Sequence, residues 1–294
     1  MMNKEIGVVI QGPLITYGQG PNISVSGFNT LETILLNIER IQKIRFEYVI
    51  STWEIGDYDT ESHKIMNQLK TRQAKILISP VPNLFDPDNR LKQKISIIRG
   101  IERLQKLNCK YIVKVRTDMI IPKEFWQEEI HRIVKIKDKI YVSEILNSPF
   151  YIGDFIVAGE ISYFSKILNS MIIQKKYHPR IASNDGLQLY NTQDSLDKYS
   201  AVKFLLFLVI RKAKLIRDWE ELIKKRIVIG NRNIFENIVW RGLKMSEVIP
   251  CEKFIFNGEV TKFNVQSFKE MIFVYKKYLC PVMKKINTII GRSL

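Results

Sequence analysis

The sequence is poor in the residues that most often carry metal or nucleophilic chemistry, with 3 Cys and 3 His among 294 residues. Cys109, Cys251 and Cys280 are odd in number and form no Cys-x-x-Cys pair, so neither a zinc site nor a disulfide framework is expected. They read as buried small hydrophobes in a reducing compartment. His63, His131 and His178 lie far apart, without a His-Glu-x-x-His frame, and no Gly-x-Ser-x-Gly elbow occurs. A zincin is excluded, and nothing points to a hydrolase triad. Neither Gly-x-Gly-x-x-Gly nor Gly-x-x-x-x-Gly-Lys-Ser/Thr is present, which argues against a Rossmann dinucleotide site and a P-loop. Zinc-finger spacing, an aromatic ribonucleoprotein motif and a helix-turn-helix pattern are missing as well, so no nucleic-acid partner is expected.

Long apolar runs are also lacking. The longest, 204–210, falls far short of the roughly 20 residues that span a bilayer. The short run after Met1-Met2-Asn3-Lys4-Glu5 ends in Gly12-Pro13 rather than at a small-residue cleavage site, unlike a signal peptide. These features predict a cytoplasmic protein.

What the chain does have is apolar material and positive charge. Hydrophobic residues make up 46% and charged residues 26%, a balance that excludes intrinsic disorder. The net charge is +16, which implies an anionic partner. Residues 201–294 hold 19 Lys and Arg against 8 Asp and Glu, so +11 of that excess sits in the last third. Two basic amphipathic stretches there, around 203–226 and 268–290, suit either an anionic membrane surface or core-packed helices with solvated basic faces. The expected organisation is a catalytic domain over 1–200 and a basic helical region over 201–294.

Over the first two-thirds of the chain, strand-like and helix-like segments alternate, the pattern of a mostly parallel sheet covered by helices. Strands are expected at 6–11, 48–53, 75–78, 111–115, 140–142 and 151–157. Helices are expected at 30–45, around 65–70, over 89–107, from Pro122 and over 161–173. After residue 200 strand signals fade.

The informative residues fall at the C-terminal ends of predicted strands, where open α/β sheets bind ligands. Gln11-Gly12-Pro13 ends the first strand, Ser51-Thr52-Trp53 the second, and Arg116-Thr117-Asp118 the fourth. Asp118 suits a carboxylate holding a divalent cation against a diphosphate, and it equally suits a cap or turn before Pro122. Asn89, Arg90, Lys92, Gln93 and Ser96 open a helix whose free N–H groups and cations suit a phosphate; on these residues alone a solvated helix start is the preferred reading.

Four ordered blocks resemble a known family: Ile10-Gln-Gly-Pro13; Ile50-Ser-Thr-Trp53; Asn89 with Lys92-Gln93, Ser96 and Gly100; and Val113-Lys-Val-Arg-Thr-Asp118. Their order and spacing are similar to those of WavE-type lipopolysaccharide synthesis proteins, and Pro149–Phe155 resembles that family's next block. The resemblance covers about 6–160. It implies a GT-A-like glycosyltransferase that moves a sugar from a nucleotide-sugar donor to a lipid-linked or surface glycan at the inner face of the cytoplasmic membrane. It implies nucleotide contacts by Gln11, Gly12, Thr52, Lys92, Gln93 and Arg116, with Asp118 holding Mg²⁺ or Mn²⁺. The usual Asp-x-Asp is Arg116-Thr117-Asp118 here, so Arg116 can itself neutralise diphosphate charge. Asp154, beside Gly153 among apolar residues, is the candidate base for the acceptor hydroxyl; a structural carboxylate is the competing reading. Asp185 is a weaker candidate. The alternatives in other classes are a basic nucleic-acid-binding protein and a non-catalytic envelope-assembly protein.

Overall fold

Ile6–Gln11 is buried at all six positions, the signature of a strand covered on both faces, and it lies inside the sheet with a parallel neighbour on each side. The computed structural model describes residues 5–17, 21–22, 27–81, 90–146, 155–165, 221 and 223–257. In these stretches the strands are β1 (Ile6–Gln11), β2 (Ile15–Thr16), β3 (Phe28–Asn29), β4 (Glu47–Trp53), β5 (Ile76–Ser79), β6 (Tyr111–Arg116), β7 (Met119–Ile120), β8 (Ile140–Val142), β9 (Ile145–Leu146), β10 (Ile156–Glu160), β11 (Ile227–Ile229), β12 (Val239–Trp240), β13 (Leu243–Lys244) and β14 (Phe254–Ile255). The helices are α1 (Leu31–Lys43), α2 (Thr60–Thr71), α3 (Arg90–Gln105), α4 (Ile130–Ile133, continuing the π-helical turn Phe125–Glu129), α5 (Arg232–Glu236) and α6 (Met245–Val248).

The main sheet has seven strands in the order β11-β8-β10-β6-β1-β4-β5. β1 runs parallel to β4 and β6, β4 to β5, and β8 to β11. Only β10 runs against its neighbours β6 and β8. The protein is therefore an α/β fold with a mainly parallel central sheet flanked by helices, as the alternation of segments predicted.

The two faces of β1 take different helices. Val8 and Ile10 join Ile34, Ile38 and Ile41 of α1 in one apolar core, and each of those isoleucines contributes roughly 1.5–3 kcal/mol by leaving water. On the other face α3 lies close enough that a Cβ on Gly100 would stand 2.9 Å from Val9, and one on Gly7 would stand 2.7 Å from Leu104. This intimacy turns α3 slightly from the expected stripe: its buried face is Ser96, Ile97, Gly100, Ile101 and Leu104, rather than the three-residue spacing of Ile95, Ile98, Ile101 and Leu104. The two small residues let the helix backbone reach the sheet. α2 starts at Asp59, whose carboxylate accepts from Ser62 N at 3.1 Å.

The expected division at residue 200 does not separate sheet from annex. Residues 227–229 form the outermost strand β11, and β12, β13 and β14 follow. Strands of two or three residues carry no readable period, and β11, β12 and β14 pair with partners some 90–120 positions away. β12 pairs with β7, and β14 with β9. The basic stretches 203–220 and 268–290 lie outside the described residues, as do Asp154 and Asp185. Among the described residues, no helix is long and apolar enough to cross a membrane, and the thiols of Cys109 and Cys251 are buried.

Candidate functional site

The chain lays β1, β4 and β5 side by side in one direction and then returns to place β6 on the other side of β1. Connections leaving β1 and β6 therefore diverge, and the C-terminal edge of the sheet at this switch point, called the crevice below, is where such sheets take ligands. Gln11 and Arg116 are register partners at that crevice, and Gln11 pairs with Ser51 of β4 on its other side.

Beneath the crevice the sequence builds a polar lattice. Gln11 Nε2 donates to Ser96 Oγ at 3.0 Å, Ser96 Oγ donates to the Gln93 carbonyl at 2.8 Å, and Ser51 Oγ donates to the Ser96 carbonyl at 2.7 Å. These bonds fix the start of α3 against the ends of β1 and β4. Gln11 and Thr52 are 2% and 1% exposed, so they support the edge from below. Gly12 has φ +149°, and a Cβ there would collide with the Thr117 hydroxyl. Its N–H donates to the Ser51 carbonyl at 3.2 Å. Lys92 and Gln93 are half-buried on the first turn of α3, with Lys92 Nζ 6.0 Å from the Trp53 ring centre.

The other wall is a clamp around Asp118. Arg116 holds this carboxylate with a fork, Nε to Oδ1 and Nη2 to Oδ2, both at 2.9 Å. Arg241 Nε and Trp240 Nε1 also donate to Oδ2, at 2.9 and 3.1 Å. The Arg116 guanidinium lies 5.8 Å from the Phe155 ring and 6.0 Å from the Trp240 ring, and those two rings stand 5.9 Å apart. Arg241 sits 5.0 Å from the Trp240 ring. Burial alone would raise the Asp118 pKa; the charge and hydrogen bonds of Arg116, with Arg241 and Trp240, outweigh it and hold the carboxyl well below its usual range.

Backbone geometry explains why these residues meet. Trp240 pairs with Met119, and the Arg241 N–H donates to the Asp118 carbonyl at 3.1 Å. The β12–β13 turn consists of Arg241 (φ +50°) and Gly242 (φ +88°), both in the left-handed region that a two-residue type I′ hairpin requires. From below, one polar stripe of α1 grips the segment after β6. Thr33 Oγ1 donates to the Thr117 carbonyl, Asn37 Nδ2 to the Met119 carbonyl, and Arg40 Nη1 to the Ile121 carbonyl. Asn37 Oδ1 accepts from Ile121 N at 3.0 Å.

The donor set does not fit a divalent cation held by Asp118. Both carboxylate oxygens already accept from guanidinium or indole groups. A guanidinium opposes a cation about 4 Å away by about 4 kcal/mol per unit of its charge. Among the described residues, no group of three or more His, Cys, Asp or Glu side chains could hold a metal ion. Elsewhere among the described residues, the buried carboxylates Glu129 and Glu144 have structural partners: Arg132 Nη1 donates to Glu129 at 2.9 Å, and Ser143 Oγ donates to Glu144.

Of the predicted site residues, Gln11, Gly12, Thr52, Lys92, Gln93, Arg116 and Asp118 all fall at one edge of the sheet. Asp154 lies just before Phe155, outside the described residues. Sequence reasoning missed Trp240 and Arg241, more than 120 positions from their partner. The one local signal for them is a Gly at the second position of a two-residue turn between Trp240 and Leu243.

No protein-family model and no curated protein matches the chain, so the WavE-type resemblance rests on its four blocks. Among solved structures the chain is similar to 4-diphosphocytidyl-2C-methyl-D-erythritol synthase from Anaerococcus prevotii DSM 20548. The identity is 12% and the TM-score 0.44, covering 79% of this chain and 91% of that one. A likeness of that extent carries nothing about activity.

Proposed function

We propose that the chain is a glycosyltransferase that takes a nucleotide-sugar donor in the crevice at the C-terminal ends of β1 and β6 and passes its sugar to a lipid-linked or surface glycan. The observation that carries this reading is the placement of Arg116 at the switch point, held by Asp118 and beside Phe155 and Trp240. Sugar transfer breaks the bond between the anomeric carbon and the diphosphate oxygen, and that oxygen leaves with the electron pair. A fixed guanidinium aimed at the departing phosphate stabilises this charge most when it is greatest. Lys92, on the opposite wall, adds a second cation. The acceptor hydroxyl forms the new bond and surrenders its proton, and Asp154 is assigned as the base that receives it.

A thermal-shift panel of UDP-, GDP-, CMP- and CDP-sugars tests the reading. A ligand that binds the folded state raises its apparent stability, so one nucleotide class should raise the Tm. Asp154→Asn should keep that stabilisation and lose transfer. Stabilisation by none of the four classes would leave the non-catalytic envelope-assembly reading in place.

The last third's charge supports a peripheral association with anionic lipid. Flotation with phosphatidylglycerol-containing liposomes should recover the protein at low salt and release it at high salt. Failure to float at low salt removes the membrane from the proposal.

A further inference from the structure

Asp118 occupies the position expected of a metal ligand, yet its geometry is that of a positioning residue. One carboxylate, 2% exposed, accepts four hydrogen bonds from three side chains and thereby fixes two guanidiniums and an indole. Arg116 is the outer of the two guanidiniums: about 24% of its side chain remains exposed, against 3% for Arg241. The rings of Phe155 and Trp240 lie next to each other, 5.8 and 6.0 Å from its guanidinium carbon, so the Asp118 fork and this aromatic pair hold its rotamer. A pre-oriented guanidinium at the mouth of a switch-point crevice has the charge and planarity for a phosphoryl group.

We propose that this crevice binds a diphosphate without a divalent cation, with Arg116 supplying the positive charge and Asp118, Trp240 and Arg241 holding it in place. The inference rests on the nucleotide-sugar reading for its physiological ligand, but the anion site itself is independent of the nucleoside. Arg241 is the inner brace: its ion pair with Asp118 is shielded from water, and its N–H holds the same residue's backbone. The β12–β13 hairpin is thus part of the binding site although it lies in the last quarter of the chain.

Calorimetric titration of the full chain with inorganic pyrophosphate and with UDP, GDP and CDP, each in EDTA and in Mn²⁺, tests this. Pyrophosphate and one nucleotide should bind in EDTA with an affinity within about twofold of that in Mn²⁺. Arg116→Ala should weaken both by about tenfold or more, and Arg116→Lys by less, since the ammonium keeps the charge and loses the fork. Binding seen only in Mn²⁺ would overturn the proposal and leave the nucleotide-sugar reading standing. Arg116-dependent pyrophosphate binding in EDTA without binding of any nucleotide would support the anion site and sink the nucleotide reading. No pyrophosphate binding in EDTA would also overturn the proposal. The comparison of EDTA with Mn²⁺ uses the unmodified chain, so it decides the matter even if Arg116→Ala does not fold.

Discussion

At the scale of single residues, Asp118 shows how local chemistry can reverse an expected role. A carboxylate at the end of a buried strand suits a cation, and it has found two, both guanidiniums from its own chain. Removing one partner of a buried pair leaves the others uncompensated and costs about 3–5 kcal/mol. Asp118→Asn should therefore lower the urea midpoint markedly at neutral pH. The carboxyl's folded-state pKa lies below its ordinary value of 3.8, so its stabilisation is present above that value and is lost as pH falls through the folded-state pKa. The stability gap between the native chain and Asp118→Asn should be widest near neutrality and narrow below about pH 4. A gap independent of pH would mean that Asp118 is not ionised in the fold. Burial, then the nearby Glu47 charge, pushes the Cys109 thiol up to about 11, in keeping with a packing role for that residue.

At the scale of elements, α1 serves two faces at once. Ile34, Ile38 and Ile41 enter the core, while Thr33, Asn37 and Arg40 hold the backbone that leads from β6 into β7. Asn37→Ala would orphan a buried carbonyl and a buried N–H of one short segment, so it should cost roughly 2–4 kcal/mol in urea denaturation. Asn67→Ala, on the exposed face of α2, should change stability by less than about 0.5 kcal/mol. Equal effects would remove the polar stripe as an anchor. The main-sheet strands and the helices α1 and α3 up to β6 were legible because each has its own pattern: the apolar run of β1, the isoleucine stripe of α1, the recurring apolar positions of α3. β2 and β3, two residues each, were not expected, and α2 begins at Thr60, ahead of the expected 65–70. β11 to β14 were not legible either, because strands this short exist only through their partners. Trp240 and Arg241 were hidden for the same reason, since their meeting with Asp118 depends on the pairing of β12 with β7. The edge location of Gln11, Thr52 and Arg116 was legible from strand ends. The burial of Gln11 and Thr52 was not, because it depends on how closely α3 packs.

At the scale of the whole molecule, sheet and site draw on both sides of residue 200. A fragment ending there would lack β11 and would leave Asp118 without Arg241 and Trp240. Residues 1–200 alone should therefore lose cooperative urea unfolding, monitored by far-UV circular dichroism, where the full chain retains it. A cooperative transition in the fragment would restore the simpler division into two independent parts. The same long-range pairing gives the molecule an order of assembly during synthesis. Arg241 lies 123 positions after Asp118, which at ribosomal rates is a delay on the order of 6–25 s. Through that interval β6 and α1 can meet, but the carboxylate waits without its inner guanidinium, and the crevice has only one completed wall. On the proposed anion site, a nascent chain would not grip a diphosphate firmly before the β12–β13 hairpin has emerged, so ligand binding would report that the hairpin has docked on β7.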